Sequence, residues 1–353
     1  MSDGELKRVM AYDEAVGARL LLELQARDAW NRRDYAGAKN VARQLASSAQ
    51  HDGDDLSWWN ATFLVSECAR KQGMMRESAA IAERLADHPL TQRSKALSAR
   101  VSSLISFALQ GSGDLAPAIA AGRHAVEIAS SEIGQPNILV EALNALIAAL
   151  ADSDQREAAW QESQSLAAIL VSHPESPYAG QSYWAMGNVA FLLKQIDEGV
   201  YYHRLAAKTI SPMNDLDLWS RFNRASASLR LSAGVVESET LECIERAEMA
   251  NFIIGGTDRD REELKLTRAH WLVLTGQFDT ATELLHSVID HKDLVASHTA
   301  AQAHLLLGQA LAESGSTADA ITQLELGEDL FLQSGAQDRA ATARQLIDDL
   351  QQR

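Results

Sequence analysis

Eight short turn sequences recur along the chain at nearly constant spacing, and no other feature narrows its fold as far. They are RDYAGA ending at Ala38, GMMRES at Ser78, GDLAPA at Ala118, SDQREA at Ala158, KQIDEG at Gly199, GVVESE at Glu239, GQFDTA at Ala281 and GSTADA at Ala320. The successive separations are 40, 40, 40, 41, 40, 42 and 39 residues. Each turn leads into a small side chain and is flanked by segments with helical periodicity. A fixed period of this length is the signature of stacked helical hairpins, each burying its apolar face on the next. The sixth turn fits worst, because Glu239 occupies the small position, and the register there is open by a residue or two.

Composition agrees with such an array. A chain of 353 residues exceeds what one core usually supports, and no composition break divides it. Only six prolines occur, and all avoid the expected helix interiors: Pro89, Pro136, Pro174, Pro177 and Pro212 fall between hairpins, and Pro117 in the first turn of a second helix. Gly73, Gly113, Gly234, Gly276 and Gly315 stand in the turns inside hairpins, where positive φ is cheap for glycine. The expected fold is all-α: a right-handed solenoid of about eight hairpins over residues 15–335, preceded by a segment 1–14 and closed by a capping helix within 336–353.

The net charge of −16 disfavours direct binding to nucleic acid or to anionic membranes. No apolar run reaches the length of a membrane span and no leader-like apolar stretch opens the sequence. Cys68 and Cys243 lie far apart in helical patterns, so they read as buried thiols of a reducing compartment. A cytoplasmic protein is expected.

One unit shows the repeat chemistry most plainly. Tyr183, Met186-Gly187 and Ala190 on a first helix face Gly199 and Ala206 on a second, and the small residues allow the helices to approach. With Ala269, Gly276, Phe278 and Ala281 of the seventh unit and Leu307, Gly308, Gly315 and Ala320 of the eighth, this pattern resembles the tetratricopeptide repeat superfamily across nearly the whole chain. The period of about 40 exceeds the usual length of roughly 34. Long repeats of this kind look like the sensor halves of bacterial transcription regulators, including peptide-pheromone receptors. The resemblance implies a peptide, small effector or protein as ligand; the DNA-binding domain of those regulators has no counterpart in this sequence.

First helices line the groove of such a solenoid, so counting from the turns gives the candidate ligand residues. They are Arg27, Trp30, Arg100, Ser103, Phe107, Gln181, Trp184, Asn188, Phe191, His270 and Gln309. Asn188 can donate to and accept from a peptide backbone, and asparagine there resembles the backbone clamp of peptide-binding members; a solvated amide is the plain alternative. Trp184 and Phe191 would stack on a ligand or fill inter-repeat core. Arg27 and Arg100 would hold a carboxylate or pair with a neighbouring acid.

Catalytic signatures are missing: no phosphate-cradling loop, dinucleotide fingerprint or nucleophile elbow occurs. His286 and Asp290 share a helical face with His291, His298 and His304 nearby, a set too loose for a metal centre, so neither metal nor cofactor is expected. The expected function is a non-catalytic regulatory scaffold that binds a peptide or protein segment. The alternative is an assembly subunit that forms homo-oligomers through its convex face or terminal repeats.

Overall fold

The computed structural model describes residues 3–132 and 134–352, with side chains from residue 16 onward. Among the described residues there are eighteen α-helices, one short 3-10 turn and no strand. Eight hairpins follow one another: α1 (Asp3–Asn31) with α2 (Tyr35–His51), then α3 (Asp55–Lys71) with α4 (Met75–Ala86). After the short α5 (Pro89–Arg93) come α6 (Lys95–Ser112) with α7 (Leu115–Ser130), and α8 (Pro136–Asp152) with α9 (Arg156–Ser172). Next are α10 (Ala179–Leu192) with α11 (Ile196–Thr209), and α12 (Leu216–Ser232) with α13 (Ser238–Ile254). The last pairs are α14 (Asp258–Leu274) with α15 (Phe278–Asp290), and α16 (Ser297–Glu313) with α17 (Thr317–Gln333), followed by α18 (Gln337–Gln351). Residue 14 is not a helix boundary, since α1 runs through it.

The chain divides into two compact units, residues 1–189 and 190–353. Inside each, first helices pack on the second helix of the preceding hairpin and on the neighbouring first helix, as α6 does on α4 and α8, and α14 on α13 and α16. Small residues set the approach. A Cβ on Gly308 would lie 2.6 Å from Leu324 Cγ and 3.1 Å from the Ala320 carbonyl, so only glycine lets α16 meet α17 there. Helix α18 packs on α17, burying Ala340, Ala343 and Ile347 against Ala301, Leu305 and Phe331.

The turn chemistry is uniform. One residue per hairpin turn takes a left-handed conformation: glycine at 73, 113, 234, 276 and 315, but Arg33 (φ 61°), Asp154 (φ 62°) and Lys194 (φ 59°) in the other three. This places the fourth turn one residue later than its sequence alignment, and the buried small side chain is Ala159, not Ala158. In the sixth turn Thr240, not Glu239, is fully buried. One extra residue separates it from Gly234, and its hydroxyl donates to the Val235 carbonyl at 3.0 Å. A Cβ residue in this conformation is strained by about 1 kcal/mol or more. Replacing Arg33, Asp154 and Lys194 by glycine, singly, is therefore expected to raise stability by about 0.5 kcal/mol each after the entropy glycine adds to the unfolded chain. Urea denaturation midpoints check this.

Candidate functional site

In the unit of residues 1–189, neighbouring first helices bring together a charged and aromatic row. Helix α3 supplies Trp59, Phe63, Glu67 and Arg70; α6 supplies Arg100 and Phe107; α8 supplies Glu141 and Asn144. Trp59 is fully buried, stacks on Phe63 with centroids 5.2 Å apart, and donates its indole N–H to Thr91 Oγ1 at 2.8 Å. That pair is a shelf for Arg100, whose guanidinium carbon lies 4.4 Å from the Phe63 ring centre and 5.5 Å from that of Trp59. Arg70 lies over Phe107 at 5.1 Å and approaches Glu67 Oε1 at 3.8 Å.

Glu141 on α8 lies within electrostatic reach of these cations. Burial pushes its carboxyl up to about 7, and the Glu67 charge adds to the shift while Arg100 and Arg70 oppose it. Tyr178, just ahead of α10, is moved the same way, to about 12, by burial and then by the two carboxylates. Among the described residues neither Arg100 nor Glu141 has an ion pair or a hydrogen bond, and the Arg100 charge reaches Glu141 only as an electrostatic influence from the neighbouring helix. One turn along α8, Asn144 donates to Ser182 Oγ at 2.8 Å, while its own Oδ1 is buried and accepts nothing. Glu67 also lines a cavity of about 580 Å³ between α1 and α3, together with Arg27, Trp30, Asn60 and Leu64.

The first-helix row of residues 190–353 is different in character. His270 on α14 is half-buried, and this loss of solvent pushes its imidazole down to about 4, with the Arg339 charge a smaller cause. Gln302 on α16 accepts from Arg339 on α18. Gln309 lines a cavity of about 370 Å³ with Leu274, Phe278, Leu346 and Asp349.

Set against the sequence expectations, Arg27, Trp30, Arg100, Phe107, His270 and Gln309 lie on these rows or in these cavities. Arg27 is paired with Glu23 at 3.3 Å, the plainer of its two readings, and Gln181 is exposed on α10. Trp184 and Asn188 are half-buried on α10, and neither is without a partner. Two expectations are corrected. Ser103 is fully buried and donates back to the Ala99 carbonyl at 2.9 Å, as a helical serine does when no other acceptor is offered. Phe191 is 8% exposed and packs against His203 and into the space left by Gly199, so it belongs to the hairpin core. The histidines of the α15–α16 region do not converge: His291 Nδ1 sits 2.8 Å from the Ser287 carbonyl and His304 Nδ1 2.7 Å from Gln323 Oε1. Among the described residues no three His, Cys, Asp or Glu side chains are placed to hold a metal ion. Cys68 and Cys243 are buried free thiols, that of Cys68 pushed up to about 12 by burial.

Glu141 and Asn144 were not singled out from the sequence, although the period reaches them. The turn of the fourth hairpin follows that of the third by 41 residues, which carries Arg100 to Glu141 and Ser103 to Asn144.

The chain is similar in fold to Rap proteins. It matches the apo form of RapI at 13% identity with a TM-score of 0.53, covering 78% of this chain and 98% of that one. It matches a Rap protein complexed with Competence and Sporulation Factor at 10% identity and a TM-score of 0.55, covering 96% and 98%. Aspartyl phosphate phosphatase F from Bacillus subtilis matches at 11% identity and a TM-score of 0.50, covering 89% and 76%. At such identities the likeness establishes the helical-repeat fold and nothing narrower. No family model and no curated protein matches the chain. No helix among the described residues is long and apolar enough to cross a membrane.

Proposed function

We propose that the first-helix groove of residues 1–189 binds a peptide or protein segment, and that the protein is a non-catalytic, cytoplasmic regulatory scaffold. The observation that carries this reading is the unpaired state of Arg100 and Glu141. A guanidinium stacked on two aromatic rings and an acid on the neighbouring first helix, neither with an ion pair or a hydrogen bond among the described residues, supply a donor and a donor-acceptor of the kind that read a peptide backbone and its side chains. The cavity between α1 and α3 continues from Glu67 and offers Trp30 and Leu64 to an apolar ligand side chain. The fold-level neighbour solved with Competence and Sporulation Factor agrees with a ligand-binding use of such repeats.

The test is retention of a pool of random heptapeptides on immobilised protein, read by mass spectrometry. The wild type is expected to enrich a subset, and Arg100→Gln to lose about tenfold of that retention, as removal of a charged hydrogen-bond donor does, while still unfolding cooperatively. Equal retention by wild type and variant would remove Arg100 from the site, and no enrichment by the wild type would end the peptide reading.

A second reading has one observation behind it. The outer face at the end of α13 leaves Met249, Phe252, Ile253 and Ile254 exposed, Phe252 at 87%. Exposed aromatic and aliphatic side chains on a second helix suit self-association through the convex face.

A further inference from the structure

We propose that Arg100, on its shelf of Trp59 and Phe63, holds a carboxylate of the ligand, so that the protein selects peptides carrying an acid at one position. This rests on the peptide-binding reading and gives its ligand a chemical class.

Arg100 is the exception among its kind. The chain carries 48 acidic and 32 basic side chains, so carboxylates are plentiful around its cations. Among the described side chains every other arginine on a first helix has one within ion-pair distance. Arg27 meets Glu23 at 3.3 Å, Arg224 meets Asp260 at 3.0 Å and Arg268 meets Glu248 at 2.6 Å. Even the fully buried Arg230 finds Glu237 at 3.9 Å. Arg100 has no such partner among the described residues and lies instead over two rings, 4.4 Å from the centre of Phe63 and 5.5 Å from that of Trp59.

The rings attract the face of the guanidinium and leave its edge unused. An arginine's donors lie in that plane as a rigid fork, which a carboxylate fits with two parallel hydrogen bonds. Arg100 is half-buried, so part of its hydration is lost while no counter-ion replaces it. A ligand carboxylate supplies that charge without displacing anything, whereas at Arg27 or Arg224 it would first have to break an existing pair. The shelf is also set in advance: Trp59 is fully buried and its indole N–H is fixed on Thr91 Oγ1 at 2.8 Å. Nearby charge favours a single negative group. Glu67 approaches Arg70 at 3.8 Å, and Glu67 and Arg100 both act electrostatically on Glu141, so a dianion such as a phosphoryl group would bring a second charge toward two acids.

The experiment takes the heptapeptides that the full-length wild type enriches and makes three versions of each. One has a C-terminal amide, one has asparagine and glutamine in place of aspartate and glutamate, and one has both changes. The third is expected to lose about tenfold of its retention on the wild type, the effect of losing a charge-assisted hydrogen bond. Whichever of the first two shares that loss tells a chain-end carboxylate from a side-chain one. On Arg100→Gln the same changes are expected to make no difference, because the group that reads them is gone. Full retention of the third version by the wild type would overturn the assignment and leave peptide binding standing, whatever the fold of the variant. An equally large loss on the wild type and on Arg100→Gln would place the carboxylate on another residue and overturn it as well. No enrichment by the wild type would end the peptide reading and this assignment together.

Discussion

Trp59→Ala is expected to destabilise the protein by about 3 to 5 kcal/mol, the range for deleting a buried aromatic side chain and leaving a cavity. Trp59 is among the largest fully buried side chains, and Phe63, Ala82, Leu85, Val101 and Leu104 close around it. The loss has a second part. Thr91 would lose the indole donor at 2.8 Å, although its hydroxyl keeps the bond to the Leu85 carbonyl at 2.6 Å. Arg100 would lose half of its shelf. Because repeat units are coupled mainly to their neighbours, the damage should stay local. Hydrogen exchange is expected to show loss of protection concentrated in α3 to α6, with α16 to α18 unchanged; uniform loss along the chain would contradict nearest-neighbour coupling. Trp59→Phe keeps an aromatic ring in the shelf and removes the N–H with a smaller cavity than alanine leaves, so it is expected to cost less than Trp59→Ala.

The second large effect is a pH dependence of opposite sign in the two units. Glu141 has its carboxyl raised from 4.5 to about 7, so the folded state holds a proton that the unfolded chain releases. Its contribution is fully present below about pH 4.5 and is lost as pH rises toward about 7, at most about 3 kcal/mol at 1.36 kcal/mol per unit. His270 behaves in reverse. Its imidazole is lowered from 6.5 to about 4, so the unfolded chain binds the proton first, and stability is gained as pH rises between those values, again by at most about 3 kcal/mol. His304, lowered by burial despite its bond to Gln323, adds to that gain. Global unfolding should therefore change less between about pH 4.5 and about pH 6.5 than either unit does, because the Glu141 loss and the histidine gains oppose each other. Exchange resolved by residue should not: protection in α6 and α8 is expected to fall with pH while that in α14 and α16 rises. Glu141→Gln should abolish the fall and leave the rise. Parallel slopes in the two units would show that Glu141 is not held neutral by its surroundings.

The architecture was legible because a repeat writes the same steric demand many times. All eight hairpins form, and the turns miss register by one residue only at the fourth and the sixth. The reason is visible at both places. Asp154 carries a left-handed conformation with no glycine to advertise it, and Thr240 replaces a small residue by satisfying its own hydroxyl after a one-residue insertion. The candidate site was less legible. A face count along a helix gives direction but not depth, so Ser103 and Phe191 were placed toward a ligand when neighbouring helices enclose them. Arg100 and Phe107 fall to the same count and keep part of their surface exposed. Glu141 and Asn144 were passed over because a glutamate among many in a chain of net charge −16 has no mark of its own. Only the loss of solvent, and after it the charge of Glu67, make its carboxyl unlike the others.

The most direct test of the account places a photo-crosslinking phenylalanine analogue at Phe107, in the first-helix groove, and in a separate protein at Phe252, on the exposed end of α13. Both are irradiated with the heptapeptide pool. Peptide adducts are expected at position 107 and none at 252. Crosslinked homodimers at 252 with no peptide adduct at 107 would contradict it and make self-association the function of this scaffold.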